Sequence, residues 1–364
     1  MRVLMISGDN QVIRGIDGPF ALTLRELSAT WDEIDVLCPG VIGERVFNDK
    51  VKLKGIRKFF MLLDLFPFMM KKKYDLIVSH DYGLMLNGVN AFVMSKVLNI
   101  PHISEIHHIE GFPEAVSWKE NFYAVLGKVY VMTIGRSCRG IRIDNLGDIF
   151  PLLQKLGIKK HNVIYLPPIY LELDKYRPLI QPKKVDVLFI GRLAANKGIF
   201  TILIAIKKLR EQGMDVKTKI KGRGPLQKKI QQYIVQNSLQ DLVEMDDRIL
   251  NEEKLIELYN ETKVLVCAST VEGGPRVTLE AMACCVPVIT TPCGIMPEVI
   301  QNGVNGFIFD GSVEQLSSMI KKVLMEPELL KSFSERSRES VKPYDFNKTL
   351  KNYALRYKSI VEAQ

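Results

Sequence analysis

The stretch Val264-Leu-Val-Cys-Ala-Ser-Thr-Val-Glu-Gly-Gly-Pro-Arg-Val-Thr-Leu-Glu-Ala-Met-Ala283 opens as an apolar run, turns at Gly273-Gly274-Pro275 and continues as a helix. An unbroken apolar run suits a strand covered on both faces, and such strands belong to parallel sheets. The same strand–loop–helix unit recurs in both directions. Val286-Pro-Val-Ile289 and Phe307-Ile-Phe309 read as strands downstream; Lys217-Thr-Lys-Ile-Lys221 and Val185-Asp-Val-Leu-Phe-Ile190 read as strands upstream. An earlier series holds Val3-Leu-Met-Ile6, Ile34-Asp-Val-Leu37, Leu76-Ile-Val-Ser79 and His102-Ile-Ser-Glu-Ile106, with helical patterns from Phe20 to Thr30 and from Leu84 to Leu98. Repeated βα units imply parallel strands with right-handed crossovers. Between the two series, Leu166 to Pro182 carries four prolines, which disfavour helix and central strand, and reads as a linker. Pro327 and Pro343 punctuate the last part, and a final helix runs from Phe346 to about Val361.

The bulk numbers agree with two domains. The chain has 364 residues against a prior of about 150 per domain. Apolar residues make up 47% and charged residues 25%, an ordinary globular composition. Met1 to Ile6 is too short for a signal-peptide core and reads as a first buried strand. The six cysteines include no C-x-x-C pair, so the expectation is reduced core thiols in a cytosolic protein. The net charge of +9 invites anionic partners. Eight basic residues and one acid, Asp64, lie between Lys50 and Lys73, around the apolar run Phe59 to Met70. That run is too short to span a bilayer. It suits either a segment lying on an anionic leaflet or a core-packed helix with solvated basic ends. The basic residues do not interleave with a nucleic-acid module, so no nucleic acid is expected.

The second half carries the chemistry. Ile190-Gly-Arg-Leu-Ala-Ala-Asn-Lys-Gly-Ile199 places Gly191 and Arg192 directly after a strand and Lys197 before a helix. Ligands of open α/β sheets bind beyond the carboxyl ends of the strands. Arg192 can bond a diphosphate bidentately there and Lys197 can act as a point charge; the bland reading is a tight turn with solvated charges. Ile220-Lys-Gly-Arg-Gly-Pro-Leu226 ends a strand in Gly222 and Gly224, which permit close backbone approach, without a G-x-G-x-x-G fingerprint. Glu272 lies in the Gly273-Gly274-Pro275 loop and Glu280 in the helix beyond. A carboxylate accepts two hydroxyl hydrogen bonds, which suits a sugar or ribose diol; otherwise these are a loop acid and a helix acid.

Taken in order, these segments resemble the retaining glycosyltransferases of the GT-B fold, family 4 (glycosyl transferases group 1): Gly-Arg-Leu…Lys-Gly, then Gly-x-Gly-Pro, then Glu-x7-Glu followed by Ala-Met-Ala and Pro-Val-Ile. Thr291 to Phe307 is similar to the family's Gly-x-x-Glu-Val-Ile…Asn-Gly segment. The resemblance implies two Rossmann-like domains facing a cleft. Residues 1–170 would form the acceptor-side domain, with helix 344–364 packing back on it. Residues 171–182 would link it to a donor-binding domain, 183–343. Arg192 and Lys197 would bind the donor pyrophosphate, with Gly191, Gly222 and Gly224 in the same loops. Glu272, with Gly273, Gly274 and Pro275, would hold the donor sugar, and Glu280 the ribose. Arg14-Gly-Ile-Asp-Gly18 is similar to the glycine loop after the first strand, which assigns Gly15 and Gly18 to the donor site. His107, six residues after Pro101, matches a histidine facing the reaction centre, with His108 the runner-up.

The chain departs from that pattern at Cys285, at Pro168 to Asp174 and at Met245-Asp-Asp-Arg248. No Asp-x-Asp occurs, so a metal-bridged diphosphate is not expected; the expectation is no metal and no cofactor beyond the nucleotide-diphosphate sugar. The resemblance implies same-face attack by an acceptor hydroxyl of a glycan, a lipid-linked or a small molecule. The expected place is the cytoplasm, at the inner face of the cell membrane through residues 50–73. The alternatives are another GT-B enzyme, such as a nucleotide-sugar epimerase, or a non-catalytic sugar-nucleotide-binding scaffold.

Overall fold

The apolar runs become the strands of two separate sheets in the computed structural model. It describes residues 1–16, 18–112, 115, 117–144, 146–147, 149–167, 171–270 and 274–362. The chain divides into unit 1, Met1–Pro168 with Asn347–Gln364, and unit 2, Ile169–Phe346.

Unit 1 contains β1 (Arg2–Ile6), β2 (Glu33–Pro39), β3 (Glu44–Val46), β4 (Val51–Ile56), β5 (Leu76–His80), β6 (His102–Glu105), β7 (Gly140–Ile143) and β8 (Val163–Tyr165), in the order β3-β4-β2-β1-β5-β6-β7-β8. Only β3 runs antiparallel, as a hairpin arm of β4. Val3 to Ile6 are buried on both faces, as an unbroken apolar strand requires. Helices α1 (Pro19–Thr30), α2 (Met61–Met70), α3 (Leu86–Leu98), α4 (Trp118–Thr133) and α5 (Ile149–Lys155) connect the strands. Leu4, Ile6 and Ile77 pack against Met61, Leu65 and Met69 of α2 and Ala91 and Met94 of α3. The alternate residues Val3, Met5 and Val78 pack on the opposite face, against Leu24 and Leu27 of α1. The run Phe59 to Met70 thus buries one side of a helix and leaves the other exposed.

Unit 2 contains β9 (Val185–Ile190), β10 (Thr218–Lys221), β11 (Val243–Asp246), β12 (Thr262–Cys267), β13 (Val288–Thr290) and β14 (Gly306–Ile308), in the order β11-β10-β9-β12-β13-β14, all parallel. Its helices are α6 (Ile199–Glu211), α7 (Gln227–Gln236), α8 (Glu252–Asn260), α9 (Arg276–Ala283), α10 (Met296–Val299), α11 (Val313–Met325) and α12 (Pro327–Val341). The strand order reverses between β1 and β5 in unit 1 and between β9 and β12 in unit 2. At such switch points the loops diverge and leave a crevice beyond the carboxyl ends.

The proline-rich stretch read as a linker, 171–182, is instead part of unit 2. Leu171 and Tyr176 are buried in its core. The Leu171 amide donates to the Tyr344 carbonyl at 2.9 Å, and the Phe346 amide donates to the Leu171 carbonyl at 2.8 Å. Carbonyls that no regular ladder satisfies are met by side chains: Arg338 donates to those of Tyr176 (2.8 Å) and Leu173 (3.2 Å). After Phe346 the chain returns to unit 1 as α13 (Phe346–Glu362), where Tyr353, Ala354 and Tyr357 join the α1 face of the core.

Both tryptophans, Trp31 and Trp118, lie in unit 1. Urea unfolding followed by tryptophan fluorescence therefore reads that unit. Truncating the buried Tyr357 to alanine is expected to lower its stability by about 4 kcal/mol, the cost of deleting a core aromatic.

Candidate functional site

At the unit 2 switch point the loops after β9, β10 and β12 are tied backbone to backbone. The Gly191 amide donates to the Lys221 carbonyl (3.0 Å), Leu193 to Arg223 (2.8 Å) and Thr270 to Asn196 (2.9 Å). Glycine is required where these loops touch. A Cβ on Gly222, whose φ is +151°, would overlap the Gly191 carbonyl oxygen; one on Gly224 would overlap the Leu193 carbonyl; one on Gly198, φ +63°, would overlap that of Ala268. At Gly191 a Cβ would meet only the Phe189 ring at 3.3 Å.

Arg192 is exposed at the carboxyl end of β9, and its side chain has no hydrogen bond or ion pair among the described residues. Lys197 ends the short turn Ala195–Lys197 in the same loop, ahead of α6. Glu272 and Gly273 lie outside the described residues. Gly274 precedes Pro275, the N-cap residue of α9, where Thr278 Oγ1 donates to the Pro275 carbonyl at 2.6 Å. Glu280 is buried in α9 and already engaged: Tyr259 donates to Oε2 and Arg276 Nε to Oε1, both at 2.8 Å. Burial and the Glu280 charge push the Tyr259 hydroxyl well above its ordinary pKa, so it stays a donor. Neither Tyr259 nor Arg276 was singled out from sequence; Arg276 carried one signal, the i,i+4 spacing to Glu280. At the end of β11, Asp246 accepts from Arg248 Nε (3.0 Å) and pairs with Lys221 (3.0 Å). Asp246 thus ties Arg248 to Lys221 at the end of this strand.

In unit 1 the strand ends collect a polar network. His107, half-exposed, has Nδ1 3.2 Å from Asp144 Oδ2 and Nε2 3.7 Å from Glu105 Oε2. His108 is exposed. Glu105 is 1% exposed. Its Oε2 accepts from Arg142 at 2.8 Å, and its Oε1 accepts from Tyr353 (2.5 Å) and Tyr357 (2.7 Å) of α13. Burial pushes its carboxyl up, but His80, Arg142, His107 and the Tyr353 hydroxyl outweigh burial and hold it down to about 2. His80 shares a 2.9 Å hydrogen bond between Nδ1 and Ser7 Oγ, and burial lowers it to about 4, so it is neutral near pH 7. Its Nε2 is buried without a hydrogen bond, 3.5 Å from Glu105 Oε2. Ser7, His80 and Asp144 were not singled out from sequence, because nothing local marks three residues on separate strand ends as neighbours.

Gly15, with φ +89°, closes the turn after β1, and Gly18 is the N-cap residue of α1. Neither lies against other backbone. The tight position in this loop is Gly8, where a Cβ would overlap the Tyr82 hydroxyl beyond β5.

Over 99% of this chain, HepE of Anabaena in complex with UDP matches with a TM-score of 0.74 at 16% identity, covering 100% of that protein. This is a likeness of fold: the two parallel-sheet α/β domains are those of the GT-B glycosyltransferases. An uncharacterized glycosyltransferase of Methanocaldococcus jannaschii is 27% identical over 278 residues, 75% of this chain and 72% of that one. The capsular polysaccharide biosynthesis glycosyltransferase CapM of Staphylococcus aureus is 26% identical over 328 residues, 87% and 82% of the two chains. Residues 172–340 match the family described as glycosyl transferases group 1. Unit 2 belongs to that family, and the chain is a glycosyltransferase.

One carboxyl beside the network titrates unusually. Asp81 is buried, its Oδ1 has no hydrogen bond, and its Oδ2 accepts from Ser79, Ser104 and Tyr130. Burial raises it from 3.8 to about 7. A raised folded-state pKa contributes stability that is present below the unfolded value and lost as pH rises through the folded one. His80 works in the opposite sense below pH 6.5, so the comparison of wild type with Asp81→Asn isolates Asp81. On going from pH 4 to pH 8 the wild type should lose about 4 kcal/mol relative to that variant in urea unfolding. A constant difference would show that Asp81 is ionised throughout.

Proposed function

We propose that the chain is a retaining, metal-independent glycosyltransferase of the family 4 type, acting on a hydroxyl of a glycan, lipid-linked or small-molecule acceptor. The observation that carries this reading is Arg192, exposed at the unit 2 switch point with no partner among the described residues, in one loop with Lys197. A site of that kind suits the charge that grows on a departing diphosphate. Arg192 and Lys197 hold the pyrophosphate between the Gly191 loop and the Gly222–Gly224 loop. Glu272, with Gly273, Gly274 and Pro275, takes the sugar, and Glu280, fixed by Tyr259 and Arg276, accepts from the ribose. Gly15 and Gly18 shape the first loop of unit 1, where His107 orients the sugar or acceptor.

In the transfer the bond from the anomeric carbon to the diphosphate breaks, and the acceptor oxygen bonds to that carbon on the same face. The hydroxyl proton passes to the departing phosphate oxygen. Arg192 and Lys197 take the electrostatic part a metal plays elsewhere, and no cofactor is required. The UDP bound to HepE makes a uridine donor the first to test. The exposed apolar side of α2, with the basic residues around it, supports peripheral contact of segment 50–73 with an anionic membrane from the cytoplasmic side. Among the described residues, no helix is long and apolar enough to cross a membrane.

A thermal-shift series with UDP, GDP, ADP and CMP tests the donor site. One nucleoside diphosphate at about 100 Kd should raise stability by about 2.7 kcal/mol, and Arg192→Ala/Lys197→Ala should abolish the gain. An unchanged gain in the double variant removes the diphosphate assignment. The anomeric configuration of the product, read by NMR, should match the donor, and the rate should survive exhaustive chelation; an inverted product or a chelator-sensitive rate overturns that part of the reading.

A further inference from the structure

Helix α4 carries a second apolar stripe, on the same side of the unit 1 sheet as α2. Trp118, Phe122, Val125, Val129 and Met132 are all exposed, Trp118 at 75%. At 100° per residue they fall within one narrow arc. Ala124, Gly127, Tyr130 and Val131 occupy the opposite arc and are buried. The stripe is therefore not the part of α4 that holds the fold together.

The neighbouring helices extend it. α3 lies between α2 and α4: Met94 and Ala91 pack with Met61 and Leu65 of α2, while Gly88 sits against Tyr130 of α4. The outward side of α3 exposes Val89 and Val97. The outward side of α2 exposes Phe66 and Met70, and the approach to it exposes Phe59 and Phe60. Such an extent of exposed apolar side chains on one layer marks an interaction surface rather than scattered surface residues.

The charges on this layer are mostly basic. The segments 57–73, 86–98 and 118–133 contain Arg57, Lys58, Lys71, Lys72, Lys73, Lys96, Lys119 and Lys128 against Asp64 and Glu120. Asp64 is tied to Arg57 at 2.7 Å, and Lys72 turns inward to Asp35. The cations keep company with aromatic rings: Lys119 is 5.8 Å from the Trp118 ring, Lys96 5.5 Å from Phe92 and Arg57 5.5 Å from Phe60. Aromatic and aliphatic side chains interspersed with lysines match the boundary between acyl chains and anionic headgroups.

We infer that α4 is a second membrane-contact element, so that the α2–α3–α4 layer of unit 1 lies against an anionic leaflet on two helices rather than one. The inference rests on the membrane reading of segment 50–73 and adds a plane to it. Contact through α2 alone leaves the unit free to rotate about that helix; contact through α2 and α4 sets which side of unit 1 faces the lipid.

Trp118 supplies the test. The full chain is mixed with vesicles of phosphatidylserine and phosphatidylcholine, with and without bromine-labelled acyl chains. Trp31 is buried and Trp118 exposed, so quenching by brominated lipid reports on α4. The expected result is quenching of Trp118, together with about tenfold weaker vesicle binding for Val125→Glu/Val129→Glu. Far-ultraviolet circular dichroism checks that the variant folds, and Phe122→Ser serves as a milder second variant. If Phe59→Ser/Phe60→Ser abolishes binding while the α4 variants bind normally and Trp118 is not quenched, α4 is not a contact and the reading of segment 50–73 stands. If the wild type fails to bind at low salt, both fall. If the α4 variants change sedimentation velocity but not vesicle binding, the stripe is covered by a second copy of the chain and the inference is overturned.

Discussion

Backbone packed against backbone at the carboxyl ends of β9, β10 and β12 is the constraint from which the unit 2 site follows. Where Gly198 approaches Ala268, Gly222 approaches Gly191, and Gly224 approaches Leu193, no Cβ can be accommodated. The three loops therefore close on one another without side chains between them. What remains to face outward is amide groups and the few long side chains that the loops carry. Arg192 has no partner among the described residues, whereas Glu280 is engaged by Tyr259 and Arg276.

Unit 1 solves a different problem. Glu105 is a charge removed from water, which is tolerable only when several donors replace the lost hydration. Arg142 comes from β7 and the Tyr353 and Tyr357 hydroxyls come from the end of the chain. The returning helix α13 thus does more than cover apolar surface on the α1 side. It fixes a carboxylate that stands between two histidines, one neutral and enclosed, the other half-exposed. The carboxylate 3.7 Å from His107 Nε2 is thus held by residues about 250 positions away.

Most of the architecture was legible because buried parallel strands write themselves as unbroken apolar runs, and crossovers as longer amphipathic ones. Val3 to Ile6, Leu76 to Ser79 and Val264 to Cys267 are strands for that reason. Strands β3, β4, β7 and β8 were missed: β3 and β4 mix charged residues with apolar ones, and β7 and β8 are only four and three residues long. The stretch 171–182 misled because proline reports only what the backbone cannot do. It gives no sign that Leu171 and Tyr176 have a core to enter, or that Arg338 satisfies the carbonyls. The stripe on α4 was present in the sequence at regular helical spacing, but spacing alone does not distinguish an outward face from an inward one; the small residues Ala124 and Gly127 on the other side decide it.

The sequence by itself determined the fold class, the order of the βα units and the ordered glycine, arginine and glutamate motifs of the group 1 family, because each depends on residues close together in the chain. Only the tertiary structure decided which glycines are sterically required, which of His107 and His108 faces the Glu105–Asp144 cluster, and that Ser7, His80, Asp81 and Asp144 stand together with them. Those relations arise between strand ends far apart in sequence, brought to one edge by parallel pairing. A local pattern has no means of recording them.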